Sequence, residues 1–81
     1  MMTDDQIVEA KSRLRDAFRP LMCTAVDRDY RAKLQFKITE GNDNIIFDMT
    51  ITDRDVNDKS RFAAVIEQAR AAVQAKGYVL A

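Results

Sequence analysis

Apolar and polar residues alternate over residues 30–39 of the 81-residue chain. The apolar positions are Tyr30, Ala32, Leu34, Phe36 and Ile38, and the polar positions between them are Arg31, Lys33, Gln35, Lys37 and Thr39. A period of two residues is typical of a β-strand with one buried and one solvated face. The pattern therefore predicts a strand in which Tyr30 points inward and Arg31 points outward.

The same period predicts a second strand over residues 45–52. Its inward set is Ile45, Phe47, Met49 and Ile51, and its outward set is Ile46, Asp48, Thr50 and Thr52. The segment between the two strands contains turn-forming residues that tolerate a positive φ angle: Glu40, Gly41, Asn42, Asp43 and Asn44. Such a segment predicts a hairpin. A register shift of one residue would expose the whole apolar set, so the pairing is well specified.

Helical periodicity precedes and follows this hairpin. Thr3 and Gln6 have the spacing of a capping box, and apolar residues at helical spacing follow them: Ile7, Ala10, Leu14, Ala17 and Phe18. This pattern predicts a helix over about residues 3–19 that Pro20 ends. A second apolar stripe consists of Phe62, Val65, Ile66, Ala69 and Val73. It predicts a helix that begins near Asp58 and ends before Gly77.

Three other segments are less regular. Residues 21–29 form either a short first strand or an extended lead-in, because their apolar residues keep neither period. Residues 53–58 are expected to be a polar connection, and the apolar tail Tyr78–Leu80 is expected either to pack under the last helix or to add an edge strand. The predicted fold class is α+β, as one domain over residues 1–81. We expect a two-layer sandwich, α-β-β-α or α-β-β-β-α, with two helices on one face of a small antiparallel sheet.

The composition disfavours several classes of function. Thirteen basic and thirteen acidic residues give a formal net charge of zero, which disfavours nucleic acid and membrane surfaces as partners. The chain contains one cysteine, Cys23, and no histidine, so no thiolate cluster and no histidine base are expected. Nothing at its start resembles a signal peptide, and no apolar run is as long as a membrane helix, so a cytoplasmic location is expected by default.

No catalytic, metal-binding or cofactor-binding residues are predicted. Residues 53–58 begin like a calcium loop, but Asp58 occupies the position that requires glycine and Ala64 the position that requires glutamate. The serines, Ser12 and Ser60, have no histidine to activate them. A non-enzymatic protein is therefore expected, with no cofactor.

Candidate binding residues lie on the predicted outer face of the sheet and in the acidic loops. They are Arg31, Lys33, Lys37, Ile46, Asp27, Asp29, Asp53 and Asp55. Ile46 is the large apolar residue on an otherwise polar face, and Met22 or Val26 would extend the patch if residues 21–29 pair with the sheet. An open strand edge beside it offers strand addition as a second route.

The predicted function is protein–protein binding by a small regulator, adaptor or stoichiometric inhibitor. Compact chains of this size without a cofactor site are often encoded by bacteria, phages or mobile elements, so such an origin is one expectation. The alternative is a nucleic-acid-binding module that uses the basic outer face of the sheet. A homodimer is a further expectation, because a domain this small buries a limited core.

Overall fold

The computed structural model describes residues 2–41 and 44–80. In chain order its elements are helix α1 (Asp4–Ala17), strands β1 (Met22–Arg28), β2 (Lys33–Glu40) and β3 (Asn44–Thr52), and helices α2 (Asp53–Asn57) and α3 (Lys59–Ala75). The three strands form an antiparallel sheet in the order β1-β2-β3, with the helices packed on it. This is the α+β fold class that the sequence predicts. Strand β1 is present as in the longer of the two predicted element orders, and the structure adds the short helix α2, which neither order contains.

The core lies between the sheet and the helices. Phe36, in the middle strand, is fully buried, and its ring centroid lies 6.1 Å from that of Phe18 and 6.3 Å from that of Phe47. Helix α3 contributes buried apolar residues to the same cluster. Met2 and Leu80, near the two ends of the chain, are also buried in it. The helix-facing side of the sheet therefore supplies the apolar layer that the alternation predicts.

Helix α1 begins with the predicted capping box. The backbone N–H of Thr3 donates to Gln6 Oε1 at 2.8 Å, and the backbone N–H of Gln6 donates to Thr3 Oγ1 at 3.2 Å. The helix ends at Ala17 rather than at Arg19, which is consistent with the exclusion of a residue before proline from helical geometry. The guanidinium of Arg70 donates to the carbonyl of Ala17, which satisfies a group that the helix end leaves open.

The predicted strand over residues 30–39 is wrong at its start, because β2 begins at Lys33. Arg28 pairs with Lys33, so residues 29–32 must reverse the chain. Asp29, Tyr30 and Arg31 all adopt positive φ angles, of 52°, 52° and 70°. Tyr30 was expected to point inward, but it is 92% exposed at the tip of this turn. The requirement for a chain reversal overrides the alternation at these residues.

A β-bulge changes the predicted orientation of Ile45 and Ile46. Ile38 pairs with Phe47 and Thr39 pairs with Ile45, so Ile46 is an extra residue in β3. Ile46 is only 7% exposed, whereas Ile45 is 52% exposed. The predictions that Ile46 points outward and Ile45 inward were therefore wrong, because one inserted residue reverses the alternation locally. The predicted turn beside the bulge includes Asn42 and Asp43, which lie outside the described residues.

Residues 53–58 are not the polar connection that was expected. Residues 53–57 form α2, and the Asp55 carboxylate accepts hydrogen bonds from the backbone N–H and the hydroxyl of Thr52, at 3.1 Å and 3.2 Å. The Asp58 carboxylate then accepts from the backbone N–H groups of Ser60 and Arg61, at 2.9 Å and 3.2 Å, and caps α3. Two successive caps thus allow two helices to follow β3 without a loop between them.

The C-terminal tail packs against the core. Leu80 is buried and Tyr78 is half-buried, while in the described residues the tail adds no strand to the sheet. A hydrogen bond to the Glu40 carboxylate raises the pKa of the Tyr78 hydroxyl, and burial raises it further. Gly77 allows the chain to leave α3, with a φ angle of 96°. The first of the two alternatives for the tail is therefore confirmed.

Within residues 2–41 and 44–80, every helix falls short of the length and apolar character that crossing a bilayer would require.

Candidate interaction surface

The side of the sheet that faces away from the helices is its most extended exposed surface. We call it the open face. Its residues are Met22, Thr24, Val26 and Arg28 from β1, Lys33, Gln35, Lys37 and Thr39 from β2, and Ile45, Asp48, Thr50 and Thr52 from β3. In each strand these residues alternate with residues of the helix-facing side, which are more buried, except at the exposed Asp27 of β1 and at the bulge at Ile46. The open face therefore lines all three strands.

A chain of hydrogen bonds crosses the middle of the open face. Arg28 Nε donates to Gln35 Oε1 at 2.7 Å. Gln35 Nε2 in turn donates to both carboxylate oxygens of Asp48, at 3.2 Å and 3.3 Å. One residue from each strand takes part, so the network links β1, β2 and β3. It also places a cation and a carboxylate on the same amide side chain, which reduces the net charge of this strip.

The two lysines of the open face differ in their pairing. Lys33 Nζ lies 3.2 Å from Asp29 Oδ2, at the end of the sheet beside the β1–β2 turn. Lys37 is half-buried in the middle of β2, between Thr24 and Asp48 in the strand register. Among the residues that the structure describes, Lys37 forms no ion pair. Lys37 is thus the lysine of the open face whose ammonium remains available to an acidic partner.

Three large apolar side chains are exposed on the open face. Met22 is 62% exposed, Ile45 52% and Val26 47%. Met22 and Ile45 occupy the same row of the sheet, on either side of Thr39, and the row of Lys37 comes next. This arrangement places an apolar patch beside an unpaired cation. Grouped exposed apolar residues of this kind mark interaction sites more often than single ones do.

The turn with the three positive φ angles lies at one end of the sheet. Left-handed backbone is unfavourable for residues other than glycine, and it persists where surrounding contacts impose it. Here the carbonyl of Arg31 accepts from the backbone N–H of Met2 at 2.9 Å, and Arg31 Nη1 lies 2.7 Å from Asp4 Oδ1. These contacts fix the turn to the start of α1. Tyr30 projects from it as the most exposed of the large apolar side chains described.

The structure brings together only some of the candidate binding residues. Lys33 and Lys37 lie on the open face as expected, with Asp29 at its end. Arg31 was placed there wrongly, because it belongs to the turn and pairs with Asp4. Ile46 was also placed there wrongly, because the bulge buries it.

The other acidic candidates lie elsewhere. Asp27 is exposed on the helix-facing side of β1, opposite Leu34. Asp53 and Asp55 are in the first turn of α2, where Asp55 caps the helix and contacts Arg61 at 3.7 Å. Sequence reasoning did not select Ile45 or Tyr30, because the alternation assigned both of them to the core. Asp27, Asp53 and Asp55 therefore do not form one surface with the lysines, unlike Asp29, which pairs with Lys33.

A cavity of about 200 Å³ lies between α1, α2 and the start of α3. Its lining includes Gln6, Glu9, Arg13, Asn57, Lys59 and Phe62. The Arg13 guanidinium lies over the Phe62 ring, 4.7 Å from its centroid, so part of the wall is already engaged. This volume is smaller than the roughly 300–1,000 Å³ typical of small-molecule sites. Among the described residues, no group of three or more His, Cys, Asp or Glu side chains is arranged to hold a metal ion.

The only cysteine of the chain, Cys23, lies half-buried on the helix-facing side of β1. Burial raises the pKa of its thiol from 9.0 to about 11, and the positive charge of Arg15 opposes this effect only in part. The thiol is therefore protonated at neutral pH, which agrees with a structural rather than a reactive residue.

The pKa of Cys23 gives a testable pH dependence of stability. Because the pKa is higher in the folded than in the unfolded state, the folded protein holds this proton more tightly. Its contribution to stability is complete below pH 9 and is lost as the pH rises towards 11. We expect the free energy of unfolding, measured with urea between pH 8 and pH 11, to fall more steeply for the wild type than for Cys23→Ala. Parallel curves for the two proteins would contradict this assignment.

Comparison of the chain with protein-family models found no match, and comparisons with curated proteins and with solved structures found none either.

Proposed function

We propose that this protein is a non-enzymatic binding domain of the cytoplasm, a small regulator, adaptor or inhibitor, whose open face docks onto a partner protein. The observation that carries the proposal is the exposure of Met22, Val26 and Ile45 on one face of the sheet. These side chains come from both edge strands, so a partner that covers the face would bury all three together.

Covering the open face favours association in two ways. Fully burying a large apolar side chain contributes about 1.5–3 kcal/mol, so three such residues supply a substantial apolar contact. The polar strip of Arg28, Gln35 and Asp48 keeps its internal hydrogen bonds under a partner. Removing this polar strip from water therefore costs less free energy than burying polar groups without hydrogen-bond partners would. Exposed apolar side chains beside polar groups that already have hydrogen-bond partners are a composition found in protein interfaces.

Lys37 adds a requirement on the chemistry of the partner. Its ammonium lies beside the apolar row and has no ion-pair partner among the described residues. Covering it without a counter-charge would be costly, because a buried charge needs a partner. The partner surface is therefore expected to combine apolar side chains with a carboxylate that reaches Lys37.

The test uses substitutions that alter the open face but leave the core intact. We expect Ile45→Lys and Met22→Lys to weaken the partner complex by about tenfold or more each, since each places a charge in the apolar contact. Lys37→Glu should weaken it by repulsion of the carboxylate. The tagged wild type first identifies the partner by pull-down with nuclease and mass spectrometry. The dissociation constants of the purified pair are then measured by calorimetry.

Val8→Lys provides the matched control, because Val8 is an exposed apolar residue of α1, away from the open face. It should leave the dissociation constant unchanged. If Ile45→Lys and Met22→Lys bind the partner as tightly as Val8→Lys does, the open face is not the docking surface and the proposal fails.

The second candidate function is single-stranded nucleic-acid binding through the same end of the sheet. The observation that favours it is Tyr30, an exposed aromatic residue close in sequence to Arg28 and Arg31 and available for base stacking. The engagement of Arg28 with Gln35, of Arg31 with Asp4 and of Lys33 with Asp29 counts against it. Loss of the co-purifying material after nuclease, with an affinity that falls steeply as salt is added, would favour this candidate over the first.

A further inference from the structure

The two edges of the sheet are protected differently. The β3 edge carries a bulge at Ile46, and the Lys76 ammonium donates to the carbonyl of Ile46. Bulges and lysines are devices that keep an edge strand from pairing with another chain. Among the described residues, β1 pairs only with β2, and it has neither a bulge nor a proline nor a lysine. The backbone groups along its outer side therefore form an open template for strand addition.

We propose that two copies of this chain associate through antiparallel pairing of their β1 strands, which joins the two sheets into one of six strands. The helices of both copies must lie on the same side, so residues of the same face must pair. In β1 the residues of the open face have even numbers and those of the helix-facing side have odd numbers. Even-numbered residues must therefore pair with even-numbered residues of the second copy, and odd with odd. The register that pairs all seven residues of β1 has its two-fold axis at Ala25.

In this register the open faces of the two copies are continuous. Thr24 lies opposite Val26 of the second copy, and Met22 opposite Arg28 of the second copy. No like charges face one another directly. A shift that moved the axis to Asp27 or to Arg28 would oppose two identical charges, so the pairing centred on Ala25 is also favoured by charge. Ala25 itself, which meets its own counterpart at the axis, is small enough for close approach.

The helix-facing side supplies complementary charges. Cys23 lies opposite Asp27 of the second copy in this register. Arg15 lies in the last turn of α1, the helix that packs against β1, and its positive charge acts on the Cys23 thiol of that strand. Asp27 of the second copy is thereby brought towards Arg15, and the two-fold axis repeats this pair. Among the described residues of one copy, neither Arg15 nor Asp27 forms an ion pair, so both are available across the interface.

This association goes beyond the proposed docking function and is tested on other residues. Arg15 and Asp27 are exposed side chains outside the open face. The result therefore does not depend on whether Ile45, Met22 and Lys37 contact a partner. Failure of self-association would leave the docking proposal standing, and failure of docking would leave self-association standing.

The experiment is sedimentation equilibrium of the purified full chain over a wide concentration range at low salt. We expect a reversible dimer for the wild type. Arg15→Glu and Asp27→Lys should each weaken the dimer by tenfold or more, since each opposes like charges twice. Mixing the two variants in equal amounts should restore a dimer, because both contacts of the mixed pair then join opposite charges. Glu67→Lys, on the exposed side of α3, changes the charge as Asp27→Lys does and should leave the dimer unchanged.

The recovery on mixing separates a specific contact from unfolding or from a general effect of net charge. A wild type that stays monomeric at millimolar concentration would overturn the proposal. So would single variants that dimerise as tightly as the wild type, or a mixture that remains monomeric.

Discussion

Replacing Phe36 with alanine is expected to lower the free energy of unfolding by about 3–5 kcal/mol. Phe36 is fully buried in the middle strand and contacts Phe18 and Phe47, so its removal opens a cavity between the sheet and α1. A domain of this size has little stability in reserve, and such a loss would leave a large unfolded fraction. Urea unfolding followed by circular dichroism measures the change.

Tyr30→Ala is the control for this substitution, because it removes an aromatic ring that is almost fully exposed. We expect it to change the free energy of unfolding by no more than about 0.5 kcal/mol. Equal losses for Phe36→Ala and Tyr30→Ala would mean that Tyr30 packs inward, as the alternation in the sequence predicts, and would contradict the turn described above.

The second large effect distinguishes two adjacent isoleucines. Ile46→Asp is expected to cost about 3 kcal/mol or more, because it places a carboxylate at a buried position. Ile45→Asp should cost about 1 kcal/mol or less, because Ile45 projects from the open face beside Thr39. Thermal or urea unfolding of the two variants gives the comparison. The reverse order of stabilities would show that β3 has no bulge and keeps the regular alternation.

The helices whose start, apolar stripe and end are all marked in the sequence were predictable from it. Helix α1 has a capping box at Thr3 and Gln6, an apolar stripe and a proline near its end, and all three agree. Helix α3 has an equivalent stripe with Asp58 before it and Gly77 after it. Periodicity and end signals are local properties, so agreement between them was sufficient.

The errors in the strands have non-local causes. The apolar set at Leu34, Phe36 and Ile38 was correct, but the alternation also continues through Tyr30, where the chain must already turn back towards β1. The bulge at Ile46 depends on how β3 meets β2, and the sequence of β3 alone carries no mark of it. The sequence does not decide whether the first strand forms, because both faces of β1 mix apolar and polar residues.

Helix α2 was missed for a different reason, since the sequence predicts a polar connection over residues 53–58. Thr52 and Asp55 have the same spacing as Thr3 and Gln6, and they form similar contacts. The signal was present, but no apolar stripe follows it within the five residues of α2. Without periodicity, the segment resembled a loop.

The candidate site was predictable only in part, for the same reasons. Lys33 and Lys37 fall on the correct face because the regular part of β2 contains them. Ile45 and Tyr30 were missed, because each lies where a bulge or a turn interrupts the alternation. Arg31 was wrongly assigned to the open face, because it belongs to the same turn as Tyr30. The exposed residues that sequence reasoning missed are thus located at the irregular points of the sheet.

Met2 and Leu80, described above as members of one core cluster, have a consequence for biosynthesis. During translation the first of them leaves the ribosome long before the second is incorporated. The side of the sheet that α3 and the tail will cover therefore remains exposed until residue 80 has emerged. A chain built in this way completes its core only after residue 80 has emerged, and until then its nascent form presents apolar strands to chaperones.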